Sequence, residues 1–374
     1  MPLDVVVIGQ GATGSAALYH LARRGARVAG IERFAPGHDR GSSHGRTRII
    51  RVGYFEHPSY VPLVRRAYGL WRDLEDASGQ SLLHVTGIAE IGPPGGILVQ
   101  GTLASSRLND LPHQVLEARE LMRRYPAFHV PDDFVAVMQP EGGYLEAEPA
   151  LRAHVALAIS AGAELRAHER VLAVEPRGGG VRVRTDRGLV EAAIAVIAAG
   201  PWMNELLPDF TLPLRVTRQA VIWVEPRTPA LFAPERFPVF MLEGSQGIHY
   251  GLPLHAKDGM KLAKHHHGDE PVDPENFQRE VSAADEAMIR SAIAAHIPAA
   301  DGKLLSAQTC LYTNTPDGDF VIYRLPGYPQ IIIASPCSGH GFKFAPVLGE
   351  ILADLALKGA TDHDISRFRL ARFG

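Results

Sequence analysis

Residues 5–14, Val-Val-Val-Ile-Gly-Gln-Gly-Ala-Thr-Gly, constrain this chain more than any other stretch. Residues 5–8 are an unbroken apolar run, the mark of a short buried strand. Behind it the glycines fall at 9, 11 and 14. Gly9 permits a tight turn, Gly11 leaves room for a pyrophosphate against the backbone, and Gly14 lets a helix lie close to the strand. The spacing predicts that helix over 13–24, with its free N–H groups and positive dipole end facing the phosphates. Gly25 is placed to stop it. A second strand, 27–31, leads to Glu32, roughly 20 residues past the glycines, where an acid reaches a ribose hydroxyl. The pattern specifies a dinucleotide site and leaves NAD and FAD open.

The 374 residues exceed one ordinary core, so two domains are expected. The net charge of −3 gives no electrostatic case for nucleic acid or an anionic membrane. No apolar run reaches the length of a membrane span. The first strand starts within a few residues of Met1, which predicts no signal peptide. Cys310 and Cys337 are the only cysteines, too few for a disulfide framework, and a cytoplasmic address is expected.

Past Glu32 a Gly/Ser/His loop runs into Ser42-Ser43-His44-Gly45-Arg46-Thr47-Arg48-Ile49-Ile50-Arg51. Three arginines in six residues read either as a solvated basic loop or as a cofactor loop with small residues for close approach. Pro62 opens a helix to about 76, with Leu63, Ala67, Leu70, Trp71 and Leu74 on one face. The pattern loosens over 83–142, with strand-like pieces at 84–91 and 134–139 and a polar helix near 117–125. Then the alternation of helix and strand returns, through strands at 164–167, 171–175, 181–185 and 193–198. The last ends Val196-Ile197-Ala198-Ala199-Gly200-Pro201-Trp202, a strand-to-glycine exit like that of a second flavin-protein fingerprint. Residues 216–224 and 239–252 read as strands of another sheet, and 280–297 as a helix. His265-His266-His267 would diverge on any regular backbone, so no metal site is predicted. A strand at 331–334 leads into Ser338-Gly339-His340-Gly341-Phe342-Lys343-Phe344 and a helix over 346–357. This repeats the opening device of strand, glycine turn and helix N-terminus.

Taken together, GQGATG, SSHGRTRIIR, YVPL, GMKLAKH, the Cys310-Leu311-Tyr312-Thr313-Asn314-Thr315 stretch and SGHGFKF occur in an order that resembles one family. The chain resembles the monomeric sarcosine oxidase and N-methyltryptophan oxidase family of FAD-dependent amine oxidases, over nearly its whole length. The Lys-His of KLAKH and the closing Phe368-Arg369-Leu370-Ala371-Arg372-Phe373 are more similar to the N-methyltryptophan branch.

The resemblance implies an α/β (α+β overall) two-domain FAD-dependent oxidoreductase fold. A discontinuous Rossmann-like FAD domain would take residues 1–83, 143–214 and 318–374. A mixed-sheet substrate domain would take 84–142 and 215–317. FAD would be bound covalently through Cys310. Arg51 and Lys343 would hold the substrate carboxylate, and Tyr54, Tyr250 and Tyr312 would line its pocket. Lys261, His265, Arg48 and His44 would stand at the chemistry, with Lys261 activating oxygen. Cofactor contacts are expected from Gly9, Gly11, Ala12, Thr13 and Gly14, from Glu32 and Arg33, and from Ser42 and Ser43. Val171, Ala199, Gly200 and Trp202 are expected beside them, as are Gly339, His340, Gly341, Phe342 and Lys343. Phe55 and His57 stand where the family commonly has small glycines. The implied reaction oxidises a secondary amino acid to an imine, with oxygen as acceptor and the chain a monomer. The alternatives are a pipecolate- or proline-type oxidase, an FAD dehydrogenase passing electrons to another protein, and a dinucleotide-binding protein without amine chemistry.

Overall fold

The computed structural model describes residues 3–207, 210–255, 258–268 and 270–373. The opening motif forms β1 (Leu3–Ile8) and α1 (Ala12–Arg23), one residue earlier than the spacing predicts. β1 sits inside an eight-stranded sheet. On one side it pairs in parallel with β2 (Val28–Glu32), which carries β9 (Glu164–Ala167). On the other it pairs in parallel with β12 (Gly188–Ile197). β12 carries β11 (Gly180–Thr185) along its first half and β19 (Tyr328–Ser335) along its second. β10 (Val171–Arg177) and β18 (Val321–Leu325) complete the sheet as antiparallel partners of β11 and β19. β1, β12 and β19 run parallel, so their C-terminal ends open on one edge, where α/β sheets bind ligands.

One face of this sheet is covered by α1, α5 (Ala147–Ser160) and α7 (Ala345–Lys358) around a core that includes Leu18, Leu21, Val347 and Ile351. A Cβ on Gly349 would lie 2.5 Å from the Ala16 carbonyl carbon, so α7 can approach α1 this closely only with glycine there. α2 (Val61–Ser78) packs on α7 and ends at Gly79, in the left-handed conformation at φ 67°.

A second eight-stranded sheet runs β17 (Lys303–Asn314), β13 (Arg215–Glu225), β16 (Gly259–Lys264), β15 (Gly247–His255), β14 (Val239–Gly244), β5 (Ile88–Gly92), β7 (Val135–Gln139), β6 (Gln114–Glu117). Its residues alternate faces. Ala220, Ile222 and Val224 of β13 enter a core with Ile289 and Ile293 of α6 (Ala283–His296) and Leu121 of α4 (Ala118–Arg124). Val221 and Trp223 face the other way, toward the cavity described below. A small sheet of β3 (Thr47–Ile50), β8 (Gly143–Glu146) and β4 (Leu83–Val85) lies apart from both.

Several elements differ from the sequence reading. The single strand at 239–252 is the β14–β15 hairpin, turned at Gly244–Gly247 with Gly247 at φ 94°. The piece at 84–91 is split between β4 and β5, which belong to different sheets. The basic loop contains β3. The helix at 280–297 starts later, at a Ser282–Asp285 capping box. An unanticipated helix, α3 (Ile97–Leu108), fills part of the loosened stretch. Its Gly101 is forced by packing, since a Cβ there would meet the Phe55 carbonyl oxygen at 2.2 Å. Among the described residues no helix is long and apolar enough to cross a membrane.

Candidate active site

One cavity takes its walls from both large sheets and from the loops at the C-terminal ends of β1, β12 and β19. Its two ends are built differently.

At the first end the backbone does the work. Gly9 sits at φ 87°, and a Cβ there would lie 2.5 Å from the Ala198 carbonyl oxygen. Gly11 caps α1 with no side-chain hydrogen bond of its own. Ser43 Oγ accepts from the Ala12 N–H at 3.0 Å, so the following loop is tied to the helix start. Glu32 is 5% exposed. Burial pushes its carboxyl up, but His38 and the N–H groups of Phe34 and Gln10 outweigh it and keep it ionised. Arg33 lies over the rings of Phe34 and Trp202, and Glu275 binds both Arg33 and the Trp202 indole N–H. Val171, Thr13, Ala199 and Gly200 complete this wall.

At the second end side chains dominate. Lys261 of β16 is 4% exposed, and its Nζ donates to the Thr47 carbonyl at 2.8 Å. Burial, helped by Arg48, brings its ammonium down to about 7. Arg48 donates to the same carbonyl and to those of Ser42 and His44. Burial holds His44 neutral, at about 4, and its Nε2 has no hydrogen-bond partner among the described residues. Cys310 projects from β17 into the cavity; burial raises its thiol, while Arg48 and Lys261 oppose that rise. His265, kept neutral by burial, lies 3.4 Å from the Tyr312 hydroxyl. Gly339, at φ 77°, permits close approach to the Tyr312 ring, which a Cβ would meet at 2.4 Å.

The glycine turn after β19 also sets a proton. His340 Nε2 lies 2.9 Å from the Gly318 carbonyl, which can only accept, so Nε2 carries the hydrogen. Nδ1 therefore accepts from the Tyr54 hydroxyl, 2.6 Å away. The His340 carbonyl accepts from Lys343 Nζ at 2.8 Å. Burial, with Arg51 nearby, lowers the Lys343 ammonium to about 7.

Arg51 is 2% exposed and is ion-paired with Glu56. Its Nη2 donates to both Glu56 oxygens, at 2.7 and 2.6 Å, and its Nη1 to the Gly53 carbonyl at 2.9 Å. Burial would raise the Glu56 carboxyl, but Arg51 holds it at about 2.

Almost every residue singled out from the sequence borders this cavity. Two do not. Gly14 lies behind the first turn, where a Cβ would sit 1.8 Å from the Gly9 carbonyl oxygen. Tyr54 is fully buried beneath Arg51 and bonded to His340, so it supports the wall rather than forming it. Sequence reading missed Glu56, Trp223, Met241 and Leu252, which do line the cavity. Glu56 stands in the segment singled out for Phe55 and His57, and an acid five residues after Arg51 was the available signal. His265, His266 and His267 do not converge. His267 binds Asp285 instead, and no metal-like cluster occurs among the described residues.

A glycine cradle at a helix N-terminus, an ionised acid at the ribose position and the polar atoms of Ser42 and His44 that find no partner among the described residues fit a dinucleotide cofactor. The class defined is a dinucleotide-dependent enzyme with a cationic second compartment. The family described as DAO, FAD dependent oxidoreductase, matches residues 4–355. The chain is 42% identical to monomeric sarcosine oxidase of Streptomyces avermitilis, covering 98% of this chain and 96% of that protein. It is 37% identical to N-methyl-L-tryptophan oxidase of Yersinia pestis, covering all of both. Among solved structures, NikD, an unusual amino acid oxidase essential for nikkomycin biosynthesis, superposes with a TM-score of 0.86 at 27% identity, covering 98% and 97% of the two chains. The chain belongs to the DAO family of FAD-dependent oxidoreductases, and its cofactor is FAD.

Proposed function

We propose that this chain is an oxidase of secondary amino acids such as sarcosine, N-methyltryptophan or other N-methyl amino acids. The amine becomes an imine that water hydrolyses, and oxygen becomes hydrogen peroxide. One observation carries the reading: two buried cations, Arg51 and Lys343, border the same cavity as the glycine cradle and Cys310.

When bound, FAD accepts two electrons from the amine and delivers them to oxygen. Gly9, Gly11 and the α1 N-terminus would hold its pyrophosphate and Glu32 its ribose, with Cys310 as the covalent attachment point. The rest of the chemistry falls to orientation and charge. Arg51 offers a planar fork to a carboxylate, and Lys343 a second, point-like cation. The same cations, together with Lys261 and Arg48, disfavour an ammonium in the cavity, so the substrate amine is drawn toward the neutral form that reacts. The amine proton leaves to solvent, and neutral His265 can accept a hydrogen bond from the amine N–H. Lys261 supplies positive charge where negative charge develops on oxygen, a placement that needs little rearrangement.

We propose the domain division that the sequence implies, and the distribution of the strands supports it. The first large sheet takes strands only from 1–83, 143–214 and 318–374, and the second only from 84–142 and 215–317. β4 straddles the boundary at 83. A cytoplasmic monomer remains the proposed state.

The test is a peroxide-coupled screen of N-methyl and cyclic amino acids. The reading predicts that N-methyl amino acids generate peroxide. A preference for pipecolate or proline would move the substrate to the cyclic class. Substrate-driven bleaching with negligible peroxide in air would make the chain a dehydrogenase.

A further inference from the structure

A single register row crosses the second sheet through Val137, Glu90, Met241, Tyr250 and Ala263. Residues paired in register on neighbouring strands point to one face. Met241 and Tyr250 of this row line the cavity. Glu90 therefore belongs to the row that floors it, one strand farther out than Met241, and is 0% exposed. A carboxyl in such a row is costly unless it is paired or protonated. Neither of its oxygens has a hydrogen-bond partner among the described residues. Arg51 stands beside it, with Nη1 3.9 Å from Oε1.

Arg51 thus has two acids. Glu56 lines the cavity and binds Nη2 directly, while Glu90 stands beside Nη1 and does not border the cavity. We infer that Glu90 is a positioning residue whose proton decides how far Arg51 is available to a carboxylate ligand. Protonated, it leaves the guanidinium one anionic partner. Ionised, it adds a second, and a ligand carboxylate must then compete with both. This rests on the reading of Arg51 and Lys343 as the carboxylate site.

The surroundings set the proton's range. Burial pushes the Glu90 carboxyl up to about 8; Arg51 and the Thr102 hydroxyl oppose that and Glu56 adds to it. Arg51 and Glu56 are the charged groups facing it, both from the segment after β3. α3 contributes Thr102, whose buried hydroxyl stands close enough to oppose the rise but makes no hydrogen bond of normal length among the described residues. β7 and β14 contribute Val137 and Met241, which do not titrate. Glu90 is therefore protonated at neutral pH and ionises as the medium turns alkaline.

The test uses holoenzyme and acetate as the probe, with binding read from the flavin absorbance between pH 6 and pH 9. The dissociation constant is compared between parent and Glu90→Gln. Lys343 and Lys261 titrate in both proteins, so their contributions cancel in the ratio. The expected parent-to-variant ratio is near one at pH 6 and rises to about tenfold at pH 9. Acetamide, which has no charge, should show no such rise. A ratio that stays flat with pH overturns the inference. Should Glu90→Gln fail to fold, the double variant Lys261→Met with Lys343→Met keeps Glu90 in place and removes both titrating ammoniums, and its acetate binding must still weaken through about pH 8. Constant binding there would equally contradict it. Arg51→Ala separates the layers. Unchanged acetate affinity at pH 6 in that variant removes the carboxylate site itself, and the Glu90 role with it. A loss of affinity together with a flat Glu90 ratio removes the Glu90 role alone.

Discussion

The two ends of the cavity solve opposite problems. The dinucleotide end is made of backbone: a strand, three glycines and a helix start, all within residues 3–23. The substrate end is made of side chains contributed by β3, β13, β14, β15, β16, β17 and the turn after β19. The first end binds through N–H groups that titrate nowhere near neutrality, with one acid held firmly ionised. The second gathers Lys261, Lys343 and Glu90, all displaced by burial to about 7 or 8. The contrast teaches that the cofactor end is fixed in charge while the chemical end is poised to change it.

The largest effect expected lies where the ends meet. In the parent, acid precipitation should leave the yellow colour in the protein pellet, and Cys310→Ser should release all of it to the supernatant. Flavin found in the parent's supernatant would remove the covalent link.

Next comes Lys261→Met. Losing a preorganised charge at developing negative charge lowers a rate by about 100- to 1,000-fold. Flavin reoxidation measured by stopped flow should fall by that factor, with anaerobic reduction affected far less and Lys264→Met near normal. Because the Lys261 ammonium sits at about 7, it is charged only below that pH, and parent reoxidation should slow as pH rises through about 7. A pH-independent rate would show that this charge is not used.

The carboxylate contacts should matter less. A charged hydrogen bond is worth about 1.5–3 kcal/mol, roughly 10- to 100-fold in affinity. Arg51→Ala and Lys343→Ala should each weaken a carboxylate inhibitor by this much. The two should differ in stability. Removing Arg51 leaves Glu56 without its partner in a largely buried site, so its melting temperature should fall more than that of Lys343→Ala. Equal melting temperatures would mean that Glu56 finds another partner.

The smallest effect belongs to the cofactor rim. Arg33 and Glu275 are 27% and 42% exposed, and such pairs contribute about 0.2–1 kcal/mol. In the Cys310→Ser background, Glu275→Gln should weaken FAD by less than about fivefold. A much larger loss would make this rim a true anchor.

The same contrast explains what could be read from residues alone. Gly9, Gly11 and Gly14 encode their geometry in contiguous sequence, as does the glycine turn from Gly339 to Gly341 before α7. Glu90 meets Met241, and Trp223 meets Lys261, only through sheet register, which pairs residues far apart in the chain. Their strand periodicity says which residues share a face, but not which face the cavity occupies. The family position of Tyr54 carries no information on depth, and the residue is fully buried and bonded to His340. The β14–β15 turn, Gly-Ser-Gln-Gly, was hidden inside an apolar run, and α3 was masked by Gly101, a residue chosen for contact rather than helicity.

The central claim is that flavin chemistry and carboxylate recognition share one cavity. Anaerobic titration tests it most directly, with N-methyl amino acids of increasing side-chain size and their methyl esters. The account predicts that at least one free acid bleaches the flavin, that its ester does so at least tenfold more weakly, and that Arg51→Ala abolishes most of this difference. Equal bleaching by acid and ester in the parent would contradict it.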